Sequence, residues 1–177
     1  LTATSLGPLV PELLPFLTGG KLLRARLLFS VGPAAGVARP TLVQAAAAIE
    51  MVHTASLLHD DVIDGAALRR GAPTFWRERG VGGAILLGDL LVCRSVQLLE
   101  AVEGGRLGPV LVRLAGRMCE AEAEQTLLRS GVPVDWESCV RLARDKTGSL
   151  FAFAAHVCGG RDQALCAALE EAGLAIG

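Results

Sequence analysis

The chain has 177 residues, 51% of them hydrophobic, which suggests a single domain over residues 1–177 with a large core. Its 17 basic and 18 acidic residues give a net charge of −1, so no general field favours nucleic acid or an anionic membrane as a partner. No uncharged apolar run reaches the roughly 20 residues of a transmembrane segment, and the amino terminus lacks signal-peptide features. We therefore expect a cytoplasmic protein. The chain begins at Leu1 rather than at a methionine and ends at Gly177 within a helical pattern, so we also expect it to be incomplete at both termini.

Hydrophobic periodicity predicts helices over almost the whole chain, with glycine and proline marking their ends. Pro40 stands at a favoured first position of a long central helix. Asp135 and Asp162 are typical amino-terminal helix caps. The predicted helices span about residues 8–17, 21–35, 40–64, 81–103, 107–128, 135–157 and 162–176, and residues 65–74 form a loop. Long helices with short connections indicate an all-α bundle.

Three carboxylates end the predicted central helix: Asp60, Asp61 and Asp64. Asp60 and Asp64 are one turn apart and share a helix face, so their hard oxygen ligands converge in the way that Mg²⁺ requires. Arg69 and Arg70 follow closely, as expected where negative charge must be balanced. An acidic run alone is more often a solvated helix end. The neighbouring arginines and the apolar helix before the run favour a metal site instead.

A short basic stretch begins the second predicted helix. Gly20 lets the backbone approach a ligand closely, and Lys21 and Arg24, three residues apart, project to the same side. A helix amino terminus adds free N–H groups, so an anion such as diphosphate would fit there. The alternative is an ordinary turn followed by exposed basic residues.

Lys146 and Thr147 lie among apolar neighbours within the predicted helix 135–157. Both could bind phosphate oxygens, and Gly148 would permit a local kink. The alternative is a snorkelling lysine beside a threonine whose hydroxyl bonds to the backbone. In the predicted helix 107–128, Glu120 and Glu124 could form a second metal pair, although a solvated polar face is the better interpretation.

Taken together and in this order, these motifs resemble the trans-isoprenyl diphosphate (polyprenyl) synthase family. The similarity extends along nearly the whole chain. It is carried by Gly19-Gly20-Lys21-Leu22-Leu23-Arg24-Ala25, by residues 53–64 with Arg69-Arg70-Gly71, by Gly88-Asp89-Leu90-Leu91, by Met118-Cys119-Glu120-Ala121-Glu122 with Gln125, and by Lys146-Thr147-Gly148-Ser149-Leu150-Phe151. The resemblance implies an isoprenoid-synthase-like helical bundle around a central apolar cavity, commonly a homodimer. It also implies Mg²⁺-dependent condensation of isopentenyl diphosphate with an allylic diphosphate.

The resemblance assigns roles to individual residues. Asp60 and Asp64 would hold Mg²⁺ against the allylic diphosphate, with Asp61 in support, and these three with Lys146 form the implied catalytic set. The implied ligands of the allylic diphosphate are Arg69, Lys146 and Thr147. The implied ligands of isopentenyl diphosphate are Gly20, Lys21, Arg24, His53 and Arg70.

The sequence also departs from the family pattern. Leu22 and Ala25 replace an arginine and a proline, and the second aspartate-rich motif, which would follow an Ala-Ile-Gly end like that of this chain, is absent from these residues. The sequence therefore leaves two interpretations: an active synthase, or a catalytically silent partner subunit of a heteromeric prenyl diphosphate synthase. A terpene cyclase is a weaker alternative. Lys21, Arg24 and Arg70 argue against it, because a cyclase has no second diphosphate to bind.

The helix before Asp60 bears on product length. His53 lies two turns before Asp60 and Ser56 one turn before it on nearly the same face, like the wall of a pocket. A growing hydrocarbon must run away from the metal, so Ser56 and Ala55, at roughly 6–7.5 Å along the helix axis, would form the floor. Both side chains are small. The sequence therefore predicts a polyprenyl product longer than farnesyl.

Overall fold

The computed structural model describes residues 20–129 and 131–176, together with Gly7, Val10, Pro11 and Leu14. The predicted helix at 8–17 lies largely outside these described residues. Seven α-helices and one short hairpin occur within them, which confirms the predicted all-α class. The helices are α1 (Leu23–Val31), α2 (Arg39–Ile63), α3 (Phe75–Glu100), α4 (Leu107–Ala123), α5 (Trp136–Ala143), α6 (Ser149–Cys158) and α7 (Gln163–Ile176).

The predicted helix over 21–35 is divided in the structure. Leu22 adopts a left-handed conformation with φ of 50°, so α1 begins only at Leu23. A 3₁₀ segment, Gly32–Ala35, follows α1, and Gly36 ends it with φ of 72°. Glycine adopts positive φ without the steric penalty that a Cβ would bring. Lys21 consequently lies just before the helix rather than inside it.

The central helix α2 agrees closely with its prediction and carries much of the core. Its apolar residues recur every three or four positions, as in any helix that buries one face. The main core joins α2 to α1, α4 and α6, and its fully buried members include Leu28, Leu42, Ile49, Leu111, Leu114 and Phe153. A second apolar cluster joins α2 to α3 and contains Ala55, Leu58, Phe75, Ala84, Leu87 and Leu91. The amino-terminal and middle parts of α2 thus pack in the main core, and its carboxyl-terminal part packs against α3.

The predicted loop at 65–74 contains a small antiparallel hairpin. Strand β1 (Leu68–Arg69) pairs with β2 (Ala72–Pro73), and the turn residues Arg70 and Gly71 have φ of 54° and 81°. Two positive φ values match the right-handed twist of hairpin strands. The base of the hairpin is fixed where Thr74 Oγ1 and Trp76 Nε1 both donate hydrogen bonds to the Ala66 carbonyl, at 2.7 and 2.8 Å. These bonds keep the arginines of the hairpin close to the end of α2.

Two predicted helices contain π-helical segments. The helix predicted at 107–128 is α4 followed by the π segment Glu124–Leu128, and the helix predicted at 135–157 is α5 and α6 joined by the π segment Arg144–Gly148. The Asp135 carboxylate caps α5 by accepting the Ser138 N–H at 2.8 Å, as predicted. In addition, α3 begins at Phe75, earlier than predicted, but kinks at Gly80, where φ is 78°.

The backbone of α7 is in contact with the backbones of α6 and of the π segment before it. A Cβ atom added to Gly148 would lie 2.5 Å from the Leu174 carbonyl oxygen, and one added to Gly173 would lie 2.5 Å from Ala152 Cα. Real Cβ atoms are not found at such distances from backbone atoms. The two glycines therefore permit a helix separation that no other residue would allow.

Within the described ranges, α2 and α3 are long and apolar enough to cross a membrane by length and composition alone. Half of the most apolar stretch of α2 is buried inside the protein, against 28% of that of α3. Core helices of globular proteins pass the same test, so the observation is weak evidence for a membrane span. The exposed face of α3 presents Val81, Ile85, Leu86 and Val92.

Candidate active site

A cavity of about 580 Å³ opens beside the carboxyl-terminal end of α2. Its lining comes from α1, α2, α4, the first turns of α6 and both π segments. Apolar side chains such as Leu57, Met118 and Leu150 dominate the lining, while Asp60 and Lys146 are among the charged groups that border it. An apolar pocket with a few convergent charges is the usual form of a small-molecule site.

Asp60 and Asp64 are suited to hold a hard cation. In the part of the chain that the structure describes, neither carboxylate makes a hydrogen bond or an ion pair with another side chain. Burial raises the pKa of Asp60, and the negative charges of Glu122 and Asp64 act in the same direction. Both carboxylates lie where α2 ends, at the negative end of the helix dipole, which disfavours acids and attracts cations. Two unpaired carboxylates one turn apart are a donor set that Mg²⁺ accepts.

Asp61 differs from its two neighbours because it is already paired. Its side chain is only 6% exposed, and both of its carboxylate oxygens accept hydrogen bonds from Arg69 Nε, at 2.9 and 3.0 Å. Arg69 NH2 lies a further 2.8 Å from Asp61 Oδ1. This bidentate contact raises the pKa of Arg69 and ties strand β1 to α2. Asp61 therefore fixes the hairpin, while Arg69 remains about one-third exposed.

Lys146 forms an ion pair with Glu122 across the cavity, between the second π segment and α4. Thr147 is exposed beside Lys146 and also borders the cavity. Sequence reasoning assigned no role to Glu122. For Glu120 and Glu124 the sequence favoured a solvated polar face over a metal pair. The Glu124 carboxylate pairs with two arginines on the outer surface, which confirms that prediction. Glu122 follows the cavity-lining residues Met118 and Cys119 by four and three positions, so the helical repeat places it on the same face of α4.

The residues predicted to bind isopentenyl diphosphate are brought together only in part. Arg24 and His53 both line the cavity. Burial and then the positive charges of Arg24, Arg70 and Arg69 lower the pKa of His53 to about 4, so the imidazole is neutral near pH 7. Arg70 is thus electrostatically close to His53. Gly20 and Lys21 are exposed ahead of α1 and do not line the cavity.

The two residues predicted to form the cavity floor point in different directions. Ser56 lines the cavity. Ala55 is 1% exposed and packs in the cluster between α2 and α3. Ala55 therefore faces α3 and not the cavity.

His59 is a cavity residue that sequence reasoning did not single out. Its Nε2 lies 3.2 Å from the Ile85 carbonyl oxygen and 3.5 Å from Asp89 Oδ1. The ring rests against Gly88, where an added Cβ would lie 2.2 Å from Nε2. The Gly88-Asp89 pair was the signal in the sequence: the missing side chain of Gly88 leaves room on α3 for the imidazole in its present position.

An all-α bundle with carboxylates and several cations beside an apolar cavity is suited to hold a metal ion and an anionic ligand. The polyprenyl synthetase family model matches residues 11–177, and the chain belongs to this family. The chain is 36% identical to a geranylgeranyl diphosphate synthase from Mycobacterium tuberculosis, over 90% of this chain and 48% of that protein. It therefore spans about half the length of the curated relatives it matches.

Solved structures show the same fold. A decaprenyl diphosphate synthase from Rhodobacter capsulatus matches with a TM-score of 0.89 and 33% identity, over 99% of this chain and 55% of that one. A polyprenyl synthase from Caulobacter crescentus, solved with calcium and isoprenyl diphosphate, matches with a TM-score of 0.87 and 32% identity, over 99% of this chain and 54% of that one. The helical arrangement around the cavity is thus that of the isoprenoid synthases.

Proposed function

We propose that the protein is a Mg²⁺-dependent trans-prenyltransferase that condenses isopentenyl diphosphate with an allylic diphosphate. The observation that carries the proposal is the pair of unpaired carboxylates at the end of α2: Asp60 lines an apolar cavity that Lys146 also borders, and Asp64 follows one turn later at the helix cap. Relatives named as geranylgeranyl, octaprenyl and farnesyl diphosphate synthases support the same chemistry. The calcium and isoprenyl diphosphate bound by the Caulobacter protein support a divalent metal and a diphosphate substrate.

In this proposal Asp60 and Asp64 hold the metal, and Lys146 with Thr147 binds the allylic diphosphate. Mg²⁺, when bound, supplies positive charge that stabilises the diphosphate as it leaves. Asp61 acts indirectly, because it orients Arg69 toward the same substrate. The apolar lining keeps water away from the allylic chain, so that a carbocation survives long enough to react.

The second substrate would bind on the basic side of the cavity. Arg24, His53 and Arg70, with Gly20 and Lys21 nearby, bind isopentenyl diphosphate in this proposal. The allylic C–O bond breaks and both electrons leave with the diphosphate. The double bond of isopentenyl diphosphate then attacks the cation to form the new C–C bond, and the proton lost from the product passes to the released diphosphate. No protein nucleophile takes part.

The ion pair between Lys146 and Glu122 bears on how the allylic substrate binds. In the free protein, Glu122 neutralises the cation that the diphosphate needs. An incoming diphosphate must compete with Glu122 for Lys146, and a metal held by Asp60 and Asp64 would reduce the repulsion between the diphosphate and these carboxylates. The proposal therefore favours binding of the allylic diphosphate together with the metal.

We also propose a product longer than farnesyl, a homodimeric assembly and a cytoplasmic location. The small Ser56 side chain supports a product longer than farnesyl, because it leaves room in the cavity. The exposed apolar face of α3, with Leu86 70% exposed, supports a second copy packing there. The relatives are named for products from farnesyl to decaprenyl, so the proposed length rests on Ser56.

The test uses the native gene product with isopentenyl diphosphate, geranyl or farnesyl diphosphate, and Mg²⁺. Release of inorganic diphosphate and incorporation of radiolabelled isopentenyl units are both measured. Asp60→Asn and Asp64→Asn should each lower turnover at least about 100-fold. The matched control is Glu100→Gln, which removes an exposed carboxylate at the end of α3.

Turnover in the wild type that needs no divalent metal, or an Asp60→Asn variant as active as Glu100→Gln, would overturn the proposed metal site. A wild type that releases no diphosphate alone, but changes the product of an active synthase mixed with it, would identify the silent partner subunit instead.

A further inference from the structure

The guanidinium of Arg24 lies over an aromatic ring. Its guanidinium carbon is 4.9 Å from the centroid of the Phe151 ring, within the range of a cation–π interaction. Arg24 is the second residue of α1, and Phe151 is the third residue of α6. The contact therefore joins two helices that approach the cavity from different sides.

Direct hydrogen bonds do not explain how Arg24 is held. Among the residues that the structure describes, its buried Nε has no hydrogen-bond partner. Burial lowers the pKa of Arg24, and the negative charge of Glu50 opposes that effect. The Glu50 carboxylate also accepts the Ala25 N–H at 3.4 Å, a contact that orients the backbone of α1 rather than the guanidinium. The ring of Phe151 is the group that the guanidinium lies over.

The position of Phe151 relates the two proposed diphosphate sites. It follows Lys146 by five residues, and the intervening Leu150 lines the cavity. The same helix end that presents Lys146 to one diphosphate thus supports Arg24, which belongs to the other. A planar guanidinium is effective only when its fork of N–H donors is correctly oriented.

We propose that Phe151 is a positioning residue for isopentenyl diphosphate, acting by stacking under Arg24 and directing its guanidinium into the cavity. The inference rests on the proposed function, because it assigns Arg24 to that substrate. Phe151 touches neither reacting carbon and is therefore not a catalytic residue. Its effect belongs in the binding of isopentenyl diphosphate and not in the ionisation of the allylic substrate.

The first experiment compares Phe151→Leu with Phe151→Trp in the native gene product. Leucine keeps the apolar character and removes the ring face, and tryptophan provides the strongest cation–π face. Phe151→Leu should raise KM for isopentenyl diphosphate about fivefold. The KM for the allylic diphosphate and kcat should both change less than twofold. In the Phe151→Trp variant, the KM for isopentenyl diphosphate should stay at the wild-type value.

The matched control is Phe153→Leu, which makes the same change on the same helix. Phe153 is fully buried in the main core, so general loosening of α6 would appear in that variant at least as strongly. An equal rise of the isopentenyl diphosphate KM in both leucine variants would reduce Phe151 to a packing residue and overturn the proposal.

A double-mutant cycle tests whether Phe151 acts through Arg24. Binding of isopentenyl diphosphate is measured by calorimetry, so that the result does not depend on turnover. Phe151→Leu should weaken binding about fivefold in the wild type and not at all in an Arg24→Ala background. An equal loss in both backgrounds, or no loss in the wild type, would overturn the inference. If binding shows the expected coupling but the protein has no turnover, the proposed function is contradicted and the role of Phe151 in binding stands.

Discussion

Replacing Gly148 by alanine tests the backbone contact between α7 and the last residue of the second π segment, directly before α6. The new Cβ would lie 2.5 Å from the Leu174 carbonyl oxygen and 3.0 Å from Leu174 Cα. Both are backbone atoms of α7, so no side-chain rotation relieves the overlap and the helices must separate. Overpacking of this kind costs about 1–3 kcal/mol, and the better helix propensity of alanine returns about 0.5–1 kcal/mol. The net loss is at most about 2.5 kcal/mol, which corresponds to a melting temperature up to about 10 °C lower for a chain of this size.

The assay is thermal unfolding followed by circular dichroism at 222 nm, with Gly116→Ala as the matched control. Gly116 lies in α4, and an added Cβ there meets nothing within 4 Å. The control should therefore melt at the wild-type temperature or about 2 °C above it. The reasoning would be refuted if Gly148→Ala melted as high as Gly116→Ala, because the two helices would then tolerate the extra atom.

Three further changes test individual side chains at the site. Asp61→Asn leaves the Arg69 guanidinium without its charged partner, so the free energy of unfolding in urea should fall by about 2–3 kcal/mol; a loss below about 0.5 kcal/mol would show that the pair contributes little. The pKa of His53 is about 4 in the fold against roughly 6.5 when unfolded, so the unfolded chain takes up this proton first as the pH falls. Stability should therefore decrease from pH 6.5 to pH 4, by at most about 3 kcal/mol, and His53→Gln should flatten that decrease; parallel curves would contradict the assignment. Ser56→Phe should shorten the polyprenyl product in a radiolabelled chain-length assay, whereas Ala55→Phe should mainly lower stability because of its packing against α3; an unchanged product in the first variant would remove Ser56 from the floor.

Local spacing along the chain is enough to predict the helices and to place Asp60 and Asp64 on one helix face. The different roles of the aspartates within the acidic run cannot be predicted in this way. Asp60 and Asp61 are adjacent in sequence, yet one is unpaired and the other is engaged by Arg69. That distinction depends on where the hairpin folds back, which no local pattern encodes.

The role of Glu122, on the part of the cavity wall formed by α4, could not be predicted from the local sequence either. Its role follows from the exact rotation of α4 and from the path of the second π segment, which brings Lys146 to it. The π segments themselves were predicted as ordinary helix, because a widened turn has no distinct hydrophobic period. Tertiary packing, and not propensity, decides where the helix widens.

The two π segments have a consequence for how the chain tolerates changes of length. Each is a widened turn of five residues, Glu124–Leu128 and Arg144–Gly148, and both border the cavity. Deleting one residue from a regular helix such as α2 would rotate everything beyond it by about 100° and misalign the core. A π turn already holds a residue in excess of the α-helical repeat, so a deletion there can be absorbed by a return to ordinary helix. Length variation in this bundle should therefore be accommodated beside the substrate cavity, where it would reshape the cavity and leave the packed core in register.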